Sequence, residues 1–175
     1  MNLKDFAAKH GLEQLPTSAK EIGELLSLAD QKVHDAEIVS TTDVSADFYH
    51  ETVYAISIPC AKAVIRSEGY VVPKTAKDGH VLIFEFMYTA FGNRQYSNAI
   101  FAARKSRNQT AYSSKGSASK DDTTKLLKLF RELRAAVESW IRKHHSELFE
   151  TPTEGPNGLN DSNPLGAESK NPTTS

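Results

Sequence analysis

Apolar residues recur every three or four positions along most of this chain, and no segment alternates apolar and polar residues with the period of two that a half-buried strand needs. That pattern restricts the chain to helices packed on helices. Between Ser18 and Val39, residues Ile22, Leu25, Leu26, Ala29, Val33 and Ala36 share one face. Thr17 or Ser18 is placed to cap this helix, with Glu21 following at capping-box distance. A second helical run covers Ala46 to Glu68 and carries Phe48, Val53, Ile56, Ala61, Val64 and Ile65, with Gly69 as its stop. Pro59 lies inside it; an interior proline removes a backbone donor and costs about 3 kcal/mol, so a kink or break is expected near Ser57.

Three more helices follow. Residues 79–91 hold Val81, Leu82, Phe84, Phe86, Met87 and Phe91, are apolar nearly all round, and predict a central helix that starts behind Asp78 as cap and ends at Gly92. Residues 93–112 present Tyr96, Ala99, Ile100 and Ala103 on an inner stripe. Residues 121–148 repeat Leu126, Phe130, Leu133, Val137, Trp140 and Ile141, with Ser119 and Asp122 spaced as a capping box. Short connections between such helices favour antiparallel neighbours. The expectation is an all-α, up-down bundle of about five helices over residues 18–149. Residues 1–17 are read as an N-terminal extension. Residues 150–175 are rich in Pro, Gly, Asn, Ser and Thr with no aromatic ring, and are read as a disordered acidic and polar tail.

With 39% hydrophobic and 25% charged residues, a single core of this size stands without staples. Cys60 is the one cysteine, which excludes an intramolecular disulfide and a cysteine zinc cluster and suits a cytoplasmic location. It lies in an apolar stretch and is read as a buried, inert thiol. The start of the sequence shows no continuous apolar leader, and no run reaches the roughly 18 apolar residues that span a bilayer. The longest apolar windows are interrupted by Ser57, Lys62 and Glu85. No membrane role is expected.

Charge is distributed unevenly. Residues 1–93 hold 8 Lys/Arg against 13 Asp/Glu, a balance of −5; residues 94–145 hold 12 against 4, or +8; residues 146–175 hold 1 against 5, or −4. A basic block of this kind is the electrostatic signature of a nucleic-acid contact as well as of an ordinary solvated helix face. Catalytic motifs are scarce. There is no phosphate-binding glycine loop and no nucleophile elbow. None of the six histidines falls at metal-ligand spacing, so neither a metal nor another cofactor is expected. His144 and His145 are adjacent, point to different faces, and fit the cationic end of a helix.

The strongest constellation is Arg104-Lys105-x-Arg107-Asn108-x-x-x-Tyr112. On a helix, 104, 107 or 108, and 111 or 112 lie along one edge. Guanidinium forks match phosphate oxygens, an amide can orient a hydroxyl or base edge, and a phenol can stack on a base. Arg104, Lys105 and Arg107 are therefore the candidate nucleic-acid-binding residues, and Arg107, Asn108 and Tyr112 the candidates for chemistry.

Around this motif the stretch from Ser45 to Ile141 resembles the HEPN family (higher eukaryotes and prokaryotes nucleotide-binding). The segments that carry the resemblance are FYHETVYAISIPCAKAVIRSEGY, with Ala61 through Gly69-Tyr70, then GHVLIFEFM opening on Gly79-His80, then ARKSRNQTAY, a polar turn and a final amphipathic helix. The resemblance implies a four- to five-helix bundle, a homodimer, and a role in toxin–antitoxin modules, phage defence or RNA processing. Catalytic members are metal-independent endoribonucleases that use an arginine, a polar residue and, a few positions on, a histidine. Arg107 and Asn108 match the first two; the histidine position holds Tyr112. Transfer of the ribose 2′-hydroxyl proton suits an imidazole with pKa near about 6.5 and not a phenol near about 10. His80 is the other histidine whose approach in space would be relevant.

Three functions follow from this reading. The first is a nucleic-acid-associated or regulatory module lacking the usual catalytic histidine. The second is an endoribonuclease with an atypical Arg-Asn-x-x-x-Tyr site. The third is a protein-interaction subunit partnered with a nucleotidyltransferase or another helical protein; the resemblance implies Tyr112 as the residue a nucleotidyltransferase would modify.

Overall fold

The computed structural model describes residues 2–112 and 118–149; the side chains of residues 109–112 and the whole tail, 150–175, lie outside the described residues. Among the described residues the chain forms helices α1 (Leu3–His10), α2 (Ala19–Ser40), α3 (Ala46–Tyr54), α4 (Ser57–Ser67), α5 (Gly79–Phe91), α6 (Arg94–Tyr112) and α7 (Lys120–His144), closed by a 3-10 turn at Ser146–Phe149. Strands β1 (Glu13–Gln14) and β2 (Tyr70–Val71) add one short antiparallel ladder, with Glu13 opposite Val71 and Gln14 opposite Tyr70. The architecture is an all-α bundle.

Local chemistry explains most of the boundaries. The Ser18 hydroxyl accepts from the Glu21 amide at 3.2 Å and starts α2. The Ser119 hydroxyl accepts from the Asp122 amide at 3.0 Å, the N-cap half of the expected capping box of α7, while the Asp122 carboxylate accepts from the Ser119 hydroxyl at 2.8 Å. The run from Ala46 to Glu68 breaks at Ala55–Ile56, as Pro59 requires. The break puts Pro59 in the first turn of α4, where its missing N–H has no intrahelical acceptor to lose.

Three boundaries differ from the sequence expectation. Within residues 1–17, read as an extension, α1 packs on the core: Phe6 and Ala7 are buried, and the Phe6 ring meets Phe86 of α5 edge-on at 5.7 Å. Helix α7 ends at His144 rather than 148. His145 leaves the helical region (φ −142°, ψ 54°), and its imidazole bonds the Glu68 carboxylate at 2.9 Å. Asp78 precedes α5 but does not cap it with its side chain; its backbone is left-handed at φ 57°.

The core runs through α2, α4, α5 and α7, with Ile22, Ile56, Ile65, Phe84, Phe86, Phe130 and Leu133 fully enclosed. Burying each such side chain is worth roughly 1.5–3 kcal/mol. Helix α5 is central through its middle, at Ile83, Phe84, Phe86 and Met87, while its ends are half-exposed.

Cys60 lies in this core with no exposed surface, and burial pushes its thiol up to about 12. At pH 8 only roughly one thiol in ten thousand is then ionised, so a thiol reagent should label the native protein very slowly and label it at the ordinary rate in denaturant. Rapid native labelling at pH 8 would show that Cys60 is accessible.

Candidate nucleic-acid interface on α6

The edge of α6 that carries the basic motif faces α3 and the start of α5. The Arg107 guanidinium contacts one oxygen of Glu51, Oε1, through Nε at 3.2 Å and Nη2 at 3.1 Å. Its central carbon sits 5.7 Å from the centre of the Tyr54 ring, a cation–π distance. One turn back, Arg104 Nη2 donates to Asp78 Oδ1 at 3.4 Å. Arg104 is 32% exposed and Arg107 46%. Both are thus tethered from beneath and open to solvent from above.

The floor of the site is apolar and rigid. Tyr54 is buried and packs edge-on against Phe84, which packs in turn against Phe101 of α6. Burial raises the Tyr54 phenol above its ordinary range, and the nearby charges of Arg104 and Arg107 only partly oppose that rise. The phenol therefore stays protonated beneath the two guanidiniums. Asp78 reaches Arg104 from a left-handed backbone position that an aspartate tolerates better than most side chains.

The fold also brings a histidine to this edge. His50, on α3, is buried, and its Nε2 donates to the Ala103 carbonyl of α6 at 3.2 Å. Its Nδ1 lies 3.4 Å from the Thr123 hydroxyl of α7. His50 thus bridges α3, α6 and α7, and meets α6 at the residue before Arg104.

The other sequence candidates fall as follows. Lys105 and Asn108 are exposed on α6. Tyr112 is the last residue of α6, and its side chain lies outside the described residues. His80 is exposed in the first turn of α5. His144 is exposed, lies over the Trp140 ring at 4.6 Å and donates from Nδ1 to the Trp140 carbonyl at 2.8 Å. Among the described residues no group of three His, Cys, Asp or Glu side chains could hold a metal ion, and no helix is long and apolar enough to cross a membrane.

Among the described residues, several cations of the basic block are paired with acids. On α7, Arg134 pairs with Asp30 at 2.7 Å and with Glu138 at 2.8 Å, Arg131 pairs with Glu37 at 3.3 Å, and Arg142 pairs with Glu138 at 2.7 Å. Two acids of α2, Asp30 and Glu37, thus each face an arginine of α7, and Glu138 of α7 itself joins Arg134 and Arg142. Arg104, Lys105 and Arg107 against Asp78 and Glu51 leave a local excess of one positive charge on the α6 edge.

Sequence reasoning missed Glu51, Tyr54 and His50 as members of this site and took Asp78 for a cap. The spacing of His50, Glu51 and Tyr54 places them on adjoining positions of one helix, but nothing local ties that helix to α6. Compared with protein-family models, curated proteins and solved structures, the chain matches none.

Proposed function

We propose that this chain is a nucleic-acid-associated or regulatory HEPN-like module that takes phosphate on the Arg104–Arg107 edge of α6 without cleaving the strand. The observation that carries this reading is the pair of half-open guanidiniums on one helix edge, each ion-paired among the described residues to one exposed carboxylate, with Arg107 also over the Tyr54 ring. An exposed ion pair is worth about 0–1 kcal/mol. A phosphate, which a guanidinium can grip through two parallel bonds, can therefore displace Asp78 or Glu51 at small cost. Strand cleavage needs a group that moves a proton near neutral pH. His50, which bonds the α6 backbone one residue before Arg104, is buried and occupied by Ala103 and Thr123, and exposed His80, two residues after Asp78, has no contact to either arginine among the described ones; this favours binding over cleavage.

A cytoplasmic setting in a toxin–antitoxin or phage-defence system belongs to the same proposal. So do the partners that the HEPN resemblance implies: a second copy of the chain, and a nucleotidyltransferase acting on Tyr112.

The test is binding of single-stranded RNA across a salt series, for the natural chain and for Arg104→Ala combined with Arg107→Ala. Binding should weaken at least about tenfold at low salt, and the dependence of log K on log salt should become shallower by roughly one to two. The RNA should be recovered intact in EDTA from every sample. Binding indifferent to both substitutions would sink the proposal. Cleavage by the natural chain that is lost in Arg107→Ala would replace it with the ribonuclease reading.

A further inference from the structure

We infer that the groove between α2 and α3 is a base-stacking subsite for single-stranded nucleic acid, with the Phe48 ring as its platform; the inference rests on the phosphate reading of the α6 edge. The groove has a volume of about 480 Å³ and is walled by Ile38 and Val39 of α2, by Phe48 and Glu51 of α3, and by Ala55 just after it. Phe48 and Ile38 are each 53% exposed, an unusual position for two large apolar side chains in a chain that encloses its other phenylalanines far more completely.

Glu51 joins this groove to the arginine edge. Glu51, which lines the groove, holds Arg107 by its carboxylate through Nε and Nη2. An apolar slot and a pair of guanidiniums therefore adjoin, with one carboxylate between them. Phe48 lies one helical turn before Glu51 on α3, on the same face, and both line the groove.

The charges of the two halves suit the two halves of a nucleotide. Within the groove Lys32 pairs with Asp35 at 3.3 Å, and Glu51 is paired to Arg107; once a phosphate takes Arg107, Glu51 leaves the slot with one negative charge. An apolar slot with no free cation among its described residues has nothing for a phosphate but accepts the flat face of an uncharged base. The arginines accept a phosphate but offer no apolar platform beyond the buried Tyr54. A nucleotide carries both groups, separated by its sugar. Bases in a duplex are already stacked on one another, so the arrangement selects an unpaired strand. An apolar peptide or a second copy of this chain would fill the slot without needing the arginines, and the test separates these occupants.

The experiment compares a labelled single-stranded RNA of about eight nucleotides with an abasic oligomer of equal length and charge. Each is titrated against the natural chain, Phe48→Ala, Phe48→Trp, and the Arg104→Ala/Arg107→Ala double variant. Phe48→Ala should weaken RNA binding about tenfold and leave abasic binding unchanged. Phe48→Trp should bind RNA as the natural chain does, with its added fluorescence quenched by RNA and not by the abasic strand. The double variant should lose affinity for both strands. If Phe48→Ala binds RNA normally while the double variant does not, the subsite is overturned and the phosphate edge stands. If neither variant alters binding, both readings fall. If Phe48→Ala dissociates a dimer in light scattering and leaves RNA affinity intact, the groove belongs to a second copy and the inference is overturned.

Discussion

Replacing Arg66 with Ala is expected to lower stability by about 3 kcal/mol and the melting temperature by roughly 10 °C. Arg66 is 8% exposed and makes five hydrogen bonds. Nε and Nη2 grip the two oxygens of Glu21, at 2.6 and 2.9 Å. Nη1 donates to the carbonyls of Leu15 and Tyr70, at 3.0 and 3.2 Å, and Nη2 to that of Pro16 at 2.7 Å. One guanidinium thus ties α4 to the first turn of α2, to the segment after β1 and to β2. Truncation removes charge-assisted bonds individually worth about 1.5–3 kcal/mol, not additively, and leaves Glu21 without its partner. Lysine cannot reproduce the fork, so Arg66→Lys should recover only a minor part. Thermal denaturation followed by circular dichroism gives the magnitude. Limited proteolysis should find the linker between α1 and α2 opened first. A loss below about 1 kcal/mol would show that the network is decorative.

The same pair sets an acid limb. The hydrogen bond from Arg66 holds the Glu21 carboxyl below its ordinary value of 4.5, against an opposing push from burial. A carboxyl depressed in the folded state contributes stability that is present above its unfolded pKa and is lost as pH falls through the folded one. Natural protein should therefore lose this increment as pH drops below about 4.5, and Arg66→Ala should show a flatter acid limb over that window.

Arg66 also shows where sequence reading ends. Helices α2, α5, α6 and α7, the caps at Ser18 and Ser119 and the break before Pro59 were all legible, because each depends on residues within one or two turns of one another. Helix α1 was not. It has eight residues and buries only Phe6 and Ala7, and its evidence is Phe86, far along the chain. The β1–β2 ladder is two residues long on each side, too short for any period to register. His145 ends α7 because of its contact with Glu68, a partner 77 positions earlier.

The candidate site divides in the same way. Arg104 and Arg107 were legible as one edge because helical spacing alone puts them there. Glu51 and Asp78 were not, since they lie 56 and 26 residues away from the arginines they hold. The uneven charge was legible but pointed too broadly, because folding sets Asp30 and Glu37 of α2 against Arg134 and Arg131 of α7.

Those two carboxylates lead to the last expected result: Glu51→Gln and Asp78→Asn should each raise RNA affinity about fivefold at low salt, and together roughly twentyfold. Each carboxylate opposes phosphate twice, by occupying a guanidinium and by repelling the incoming anion. The amides keep size and shape, and asparagine tolerates the left-handed backbone at position 78, so the fold should not change. Glu51 is 59% exposed and Asp78 73%, so both effects are screened. The gain should be largest near about 50 mM salt and should shrink to less than about twofold near 500 mM. The two substitutions should act independently, because Asp78 and Glu51 touch different arginines. The measurement is a pair of titrations, at low and at high salt, for each variant. Unchanged affinity in both single variants at low salt would mean that phosphate does not enter between these arginines and their carboxylates. A gain confined to Glu51→Gln would place the phosphate at Arg107, beside Phe48, and leave Arg104 as a support held by Asp78.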